Sequence, residues 1–226
     1  MRLNIAIDGP AGAGKSTIAK AVASALGILY LDTGAMYRAM ALKALRNGIC
    51  PSDPASVLPL LEGTEIFARN IEGTQHTYLD GEDVSEGIRT QEVAQAASDI
   101  SAIPAVRMKL AEAQRNVARE NDVVMDGREI GSYVLPETPY KFYITASLPT
   151  RAGRRLRELQ ARGQGEGRSL EMIEQEIAQR DYNDAHRAFA PLVQLPEAIL
   201  VDTTDLTIPE AVEAVLRHLP AGKGGN

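Results

Sequence analysis

Residues 9–17 read Gly-Pro-Ala-Gly-Ala-Gly-Lys-Ser-Thr and satisfy the pattern G-x-x-x-x-G-K-[ST] in full. Glycines at these points let successive backbone N–H groups converge on phosphate oxygens, and the N-terminus of a following helix adds partial positive charge. Gly9, Pro10, Ala11, Gly12, Ala13, Gly14 and Thr17 would form the cradle. Lys15 would reach the β and γ phosphates as a point charge, and Ser16 would offer a hydroxyl to Mg²⁺. Chance produces this pattern in roughly one chain in a hundred of this length. Its place between an apolar run and an amphipathic segment removes most of that risk, so a nucleoside triphosphate site is expected. D-x-x-G and N-K-x-D, which a guanine-nucleotide switch needs, occur nowhere in the chain. A nucleotide or small-molecule kinase and an ATP-dependent sensor remain.

Three further groups could address a second substrate. Asp32-Thr33-Gly34-Ala35-Met36-Tyr37-Arg38 follows an apolar run, and Asp126-Gly127-Arg128-Glu129 follows another. Ligands of open α/β sheets gather at the carboxyl ends of strands. Asp126 is therefore placed like an acid for Mg²⁺ or its waters, and Arg128 would point at a transferring phosphoryl group. The third group runs from Arg180 through Asp184 to Arg187. Of the 24 basic residues 18 are arginine, whose planar fork matches phosphate oxygens two at a time, although a GC-rich genome gives the same excess. A single arginine is more often a solvated surface residue. Together, at strand ends and beside glycines, these suit several phosphates.

The elements that must position them alternate. Leu3-Asn4-Ile5-Ala6-Ile7-Asp8 reads as a buried strand, followed by a helix with Ile18, Val22, Ala25 and Leu26 on one face and Gly27 as its stop. A strand at residues 28–31 and a helix through Met36, Met40, Leu42 and Leu45 follow. Strands at 123–126, 141–145 and 199–202 complete a five-stranded parallel sheet flanked by helices, an α/β fold. Residues 65–85 break the rhythm: apolar residues alternate, and Glu72-Gly73 and Asp80-Gly81 are turn dipeptides, predicting a small inserted antiparallel β element. Helices are expected over 89–119 with a break at Pro104, over 150–161 and over 170–184. Thr207 and Glu210 form a capping box before a closing helix with Ile208, Val212, Val215, Leu216 and Leu219 inward. The organisation expected is one domain over 1–220. Its core is 1–61, 90–149 and 186–220, the β insertion about 62–89, and a helical lid about 150–185, with a flexible tail at 221–226.

Composition narrows the partners. A net charge of −6 opposes a polymeric nucleic-acid partner, and 4% aromatics without Trp leave little for a base-stacking platform. Cys50 is the only cysteine, which excludes an intramolecular disulfide; beside Pro51 it is expected to be buried or half-buried. No run approaches the ~20 apolar residues that span a bilayer. The opening Met1-Arg2-Leu3-Asn4 shows no signal peptide. A cytoplasmic protein with no membrane partner is expected, and without an exposed apolar stripe, a monomer.

With GPAGAGKST at Gly9, LDTGAMYR at Leu31, RTQEV at Arg89, DGREIGS at Asp126 and QRDYNDAHRAFAPL at Gln179, the chain resembles bacterial cytidylate kinases, within the nucleoside monophosphate kinase group. The resemblance runs from Asn4 to Arg217, insertion included. It implies transfer of the ATP γ-phosphoryl group to CMP or dCMP with Mg²⁺. By resemblance, Thr33 and Tyr37 contact the nucleoside, Arg38 the CMP phosphate, and Ser98 and Arg107 the cytosine. Arg128 and Arg187 hold phosphate, while Arg180 and Asp184 lie against the ribose. Arg151, Arg154 and Arg155 belong to a lid over ATP. Glu129 stands where the family commonly has Asp, and Ser132 where Thr is common. An acid at 129 could accept from the cytosine amine. A kinase of UMP or AMP is the nearest alternative.

Overall fold

The computed structural model describes residues 2–220; the tail expected at 221–226 lies outside the described residues. Its strands are β1 (Asn4–Asp8), β2 (Leu29–Asp32), β3 (Ile66–Ile71), β4 (Thr74–Leu79), β5 (Glu82–Asp83), β6 (Val123–Gly127), β7 (Tyr140–Thr145) and β8 (Ile199–Asp202). Its helices are α1 (Lys15–Leu26), α2 (Thr33–Arg46), α3 (Pro54–Leu61), α4 (Gln91–Ile100), α5 (Pro104–Glu120), α6 (Leu148–Ala161), α7 (Leu170–His186) and α8 (Ile208–Leu216). A parallel five-stranded sheet has the order β2-β6-β1-β7-β8, and an antiparallel sheet the order β3-β4-β5. The α/β fold with its inserted β element is the one expected. The described residues form two compact units, residues 2–4 with 28–127 and residues 5–27 with 128–220.

In the first unit, β2 pairs with β6 so that Asp32 lies beside Asp126 at the carboxyl ends. The inserted sheet has three strands, the last only two residues long. Its turns place Glu72 and Gly73, then Asp80 and Gly81, at positive φ (51° and 79°, 49° and 88°), the twist that two-residue hairpin turns require. Phe67 and Tyr78 stack across β3 and β4 with ring centroids 4.9 Å apart. Thr33 and Gly34 open α2 directly, because the Asp32 side chain caps the Ala35 N–H. One expectation changes here. Cys50 is exposed rather than buried, with its Sγ 3.2 Å from the Ser52 hydroxyl. α3 was not legible at all: eight residues with Pro54 at the start and Pro59 inside carry too little periodicity.

In the second unit, β1 and β7 pair in parallel and β8 joins β7. α1 buries Ile18, Ala19, Val22 and Ala23; Ala25, expected inward, is exposed. α8 carries the expected capping box, with Thr207 and Glu210 each accepting from the other's backbone. Its inward stripe is Ala211 and Val215, then Leu219, while Ile208 is 57% exposed because it sits at the first helical position, before the face turns inward. α6 and α7 form their own small core from Ala152, Leu159, Ile173 and Ile177. After β6 the chain makes one π-helical turn, Ile130–Val134, a wide turn often found at functional sites.

The start of the phosphate loop needs glycine. Gly9 has φ 147°, and a Cβ there would overlap the carbonyl oxygen of Ile144 in β7. Gly9→Ala is expected to lower Tm and abolish triphosphate binding together, measured by thermal melts with and without nucleotide. A variant that melts normally and binds nucleotide would contradict this.

Candidate active site

In the second unit the phosphate loop closes on α1 as the pattern demands. Gly12 and Gly14 adopt φ 74° and 87°, and Gly14 caps α1 without any side-chain hydrogen bond. Such an uncapped first turn is suited to an anion. Lys15 is buried, and its Nζ donates to the Pro10 carbonyl at 2.7 Å, inside the loop. Ser16 and Thr17, the next two residues, are exposed on the first turn of α1.

Ala11 is gripped at both polar atoms. Its N–H donates to Asp181 Oδ1 at 3.2 Å, and its carbonyl accepts from Arg151 Nη1 at 3.0 Å. Arg151 also donates to the Ala146 carbonyl at 2.9 Å and pairs with Asp181, so α6 and α7 meet at the loop. Arg154 donates to Thr203 at both the hydroxyl (2.9 Å) and the carbonyl (2.6 Å). The Thr203 hydroxyl in turn reaches the Ala13 carbonyl at 3.2 Å. Arg155, grouped with these two by the sequence, instead makes an i,i+3 ion pair with Glu158 at 2.9 Å on the surface.

The arginines after β6 and α7 converge on carboxylates. Arg128 Nε donates to Asp184 Oδ2 at 2.8 Å, and Arg187 Nη1 reaches Asp184 Oδ1 at 3.3 Å. Arg187 Nη2 donates to Glu129 Oε2 at 3.1 Å and its Nε to the Ala190 carbonyl at 2.8 Å. Burial pushes the Asp184 carboxyl upward, but the guanidiniums of Arg128, Arg180 and Arg187 outweigh it and hold the carboxyl below its ordinary value. The i,i+4 reading pairs Arg180 with Asp184; the charge of Arg180 does act on that carboxyl, and Arg128 and Arg187 add hydrogen bonds to it. Glu129, buried at 3% exposure, faces Arg187.

Asp8, unassigned from sequence, supports this turn. Its two carboxylate oxygens accept the N–H groups of Ile130 and Gly131, each at 2.8 Å. Burial, together with the charge of Glu129, raises its pKa to about 6 against the pull of those N–H groups and of Lys15. An acid at the end of β1, directly before Gly9, was visible in the sequence. Its partners, more than a hundred residues away, were not.

The first unit brings the remaining residues together. The Thr33 hydroxyl donates to the Asp126 carbonyl at 2.7 Å, and Asp126 Oδ1 accepts from the Tyr30 hydroxyl at 2.8 Å. Arg107 is 1% exposed, donates to the Ser101 carbonyl at 3.1 Å and lies 5.5 Å over the Tyr37 ring, a cation–π contact. Ser98 is half-buried one turn before Ser101, whose hydroxyl donates to the Ser98 carbonyl at 2.7 Å. Arg38 pairs with Asp32 at 2.8 Å. Asp32 lay in a quoted motif without a role and Ser101 in none; only folding shows which guanidinium each one meets.

Two outcomes follow from the carboxylates. Asp184→Ala removes the buried acid that Arg128 and Arg187 share, leaving Arg187 its pair with Glu129, so it should lower stability by about 3–5 kcal/mol, read by denaturant unfolding; an unchanged midpoint would show the shared acid to be dispensable. Asp8 is an acid with a raised pKa, so its stabilising contribution is complete below 3.8 and is lost as pH rises through about 6. The Tm difference between the protein and Asp8→Asn should therefore shrink from pH 4 to pH 7. A pH-independent difference would contradict the raised pKa.

The family model described as Cytidylate kinase matches residues 5–221. A cytidylate kinase of Symbiobacterium thermophilum is 53% identical over 217 residues, covering 96% of this chain and 95% of that protein. One from Caldicellulosiruptor bescii is 47% identical, with 95% and 94% covered, and one from Halalkalibacterium halodurans 43% identical, with 96% and 97% covered. A crystal structure of an uncharacterized protein from Eubacterium ventriosum shares the fold, with TM-score 0.53, 13% identity, and 96% and 98% of the two chains covered. The match spans both units and holds the phosphate loop and all the arginines described above: the chain belongs to the cytidylate kinase family.

Proposed function

We propose that this chain transfers the ATP γ-phosphoryl group to CMP and dCMP, giving ADP and CDP or dCDP. The observation that carries this reading is the 43–53% identity, over some 95% of the chain, to proteins named cytidylate kinase. The site residues support it chemically. Arg107, buried and fixed in direction, can donate to the O2 and N3 acceptors of cytosine, while Ser98 can accept from its amine. Thr33 and Tyr37 contact the nucleoside, and Arg38 takes the phosphate of CMP. Arg180 and Asp184 face the ribose, with Arg128 and Arg187 on phosphate. Glu129, held by Arg187, is assigned beside the base.

Transfer passes through a loose transition state, so the demands on the protein are alignment and charge rather than a strong base. Lys15 bridges the β and γ phosphates, and backbone N–H groups between Gly12 and Thr17 fix them. Arg151, Arg154 and Arg155 are assigned to closure over ATP; of these Arg151 is already anchored at Ala11. The hydroxyl of Ser16 and the carboxylate of Asp126 are oxygen donors of the kind Mg²⁺ takes while keeping most of its waters. When bound, that ion supplies neutralisation of charge developing between the β and γ phosphates. No helix among the described residues is long and apolar enough to cross a membrane. We assign the protein to the cytoplasm as a monomer acting on small-molecule nucleotides.

ADP release measured with ATP, Mg²⁺ and each of CMP, dCMP, UMP and AMP tests the reading. Turnover should be highest with the two cytosine nucleotides, and Lys15→Ala should lower kcat by at least about a hundredfold in a folded protein. Turnover led by UMP or AMP would reassign the substrate. ATP binding without turnover on any of the four would favour a nucleotide sensor.

A further inference from the structure

One side chain of the inserted sheet, Gln75, reaches the end of β2 where α2 begins. β2 is an outer strand of the five-stranded sheet, so its outward backbone groups have no strand to pair with. At Asp32, Gln75 of β4 takes both. Its Oε1 accepts the Asp32 N–H at 2.6 Å, and its Nε2 donates to the Asp32 carbonyl at 3.2 Å. A primary amide offers the same donor and acceptor as a peptide unit, so this one side chain closes the edge as a strand residue would. Nε2 also donates to the Thr77 hydroxyl at 3.3 Å, and Thr77 is buried with its own N–H on Ser85 at 2.9 Å. The amide plane is thereby fixed.

The residue so clamped is the one that aims Arg38. Asp32 Oδ1 accepts the Ala35 N–H at 2.9 Å and opens α2, while Oδ2 accepts from Arg38 Nη2 at 2.8 Å. Arg38 is 30% exposed in its side chain, so without this contact its guanidinium would sample many rotamers. We propose that Gln75 is a positioning residue for the monophosphate: by holding the backbone of Asp32, it sets where Arg38 meets the phosphate of the acceptor nucleotide. This rests on the assignment of Arg38 to that phosphate. It gives the inserted sheet a task in specificity for a monophosphate, separate from triphosphate binding at the phosphate loop.

The test is steady-state kinetics of Gln75→Met, Gln75→Glu and Arg38→Ala, with KM for CMP and for ATP determined separately and thermal melts as the folding control. Gln75→Met keeps the volume and removes every hydrogen bond; it should raise KM for CMP by about tenfold and leave KM for ATP unchanged. Gln75→Glu keeps the acceptor for the Asp32 N–H and loses both donors, so its KM for CMP should fall between. If Gln75→Met does not fold, the same split in Gln75→Glu decides. An unchanged KM for CMP, or equal rises for CMP and ATP, in the Gln75 variants while Arg38→Ala raises KM for CMP alone would overturn the inference and leave the function intact. If Arg38→Ala itself leaves KM for CMP unchanged, the assignment of Arg38 fails and the inference with it.

Discussion

Guanidiniums cannot be assembled in a partly buried site without acids to hold them. Arginine stays protonated, and a desolvated charge without a partner costs several kcal/mol. In each unit the arginines assigned to phosphate meet carboxylates: Arg38 meets Asp32, Arg151 meets Asp181, and Arg128 and Arg187 share Asp184, with Glu129 closing the last pair. These pairs do more than neutralise. Each fixes one edge of a planar fork, and thereby the direction of the rest of it.

The acids are themselves placed by backbone geometry. Asp32 ends β2 and caps α2, and Asp184 and Asp181 lie on α7, three residues apart. Asp8 ends β1 and fastens the turn that carries Arg128 and Glu129, through the N–H groups of Ile130 and Gly131. Two strand ends and one helix thus determine where these acids stand, and the acids determine where cations point. The phosphate loop obeys the same logic with backbone groups: Ala11 is held at its N–H and its carbonyl, while Gly14 leaves the first turn of α1 without a side-chain cap.

What the sequence makes legible follows from range. The phosphate loop, the parallel strands, the turn dipeptides at Glu72 and Asp80 and the Thr207 capping box are local patterns, and local chemistry specifies them. Arg128 and Asp184 are 56 residues apart, and no spacing rule connects them. The i,i+4 rule does connect Arg180 with Asp184, but it says nothing of Arg128, which arrives from the end of β6. The same rule of range hid Asp8, Asp32 and Gln75. Arg155, an i,i+4 neighbour of Arg151 on α6, pairs with Glu158 of the same helix.

A crystal structure of the chain with CMP bound tests the central claim most directly. The account predicts that Arg38 stays on Asp32 and Arg128 stays on Asp184, within hydrogen-bonding distance, with the guanidinium of Arg38 on the phosphate of CMP. A bound CMP that does not meet Arg38, or that is met only after Arg38 leaves Asp32, would contradict it.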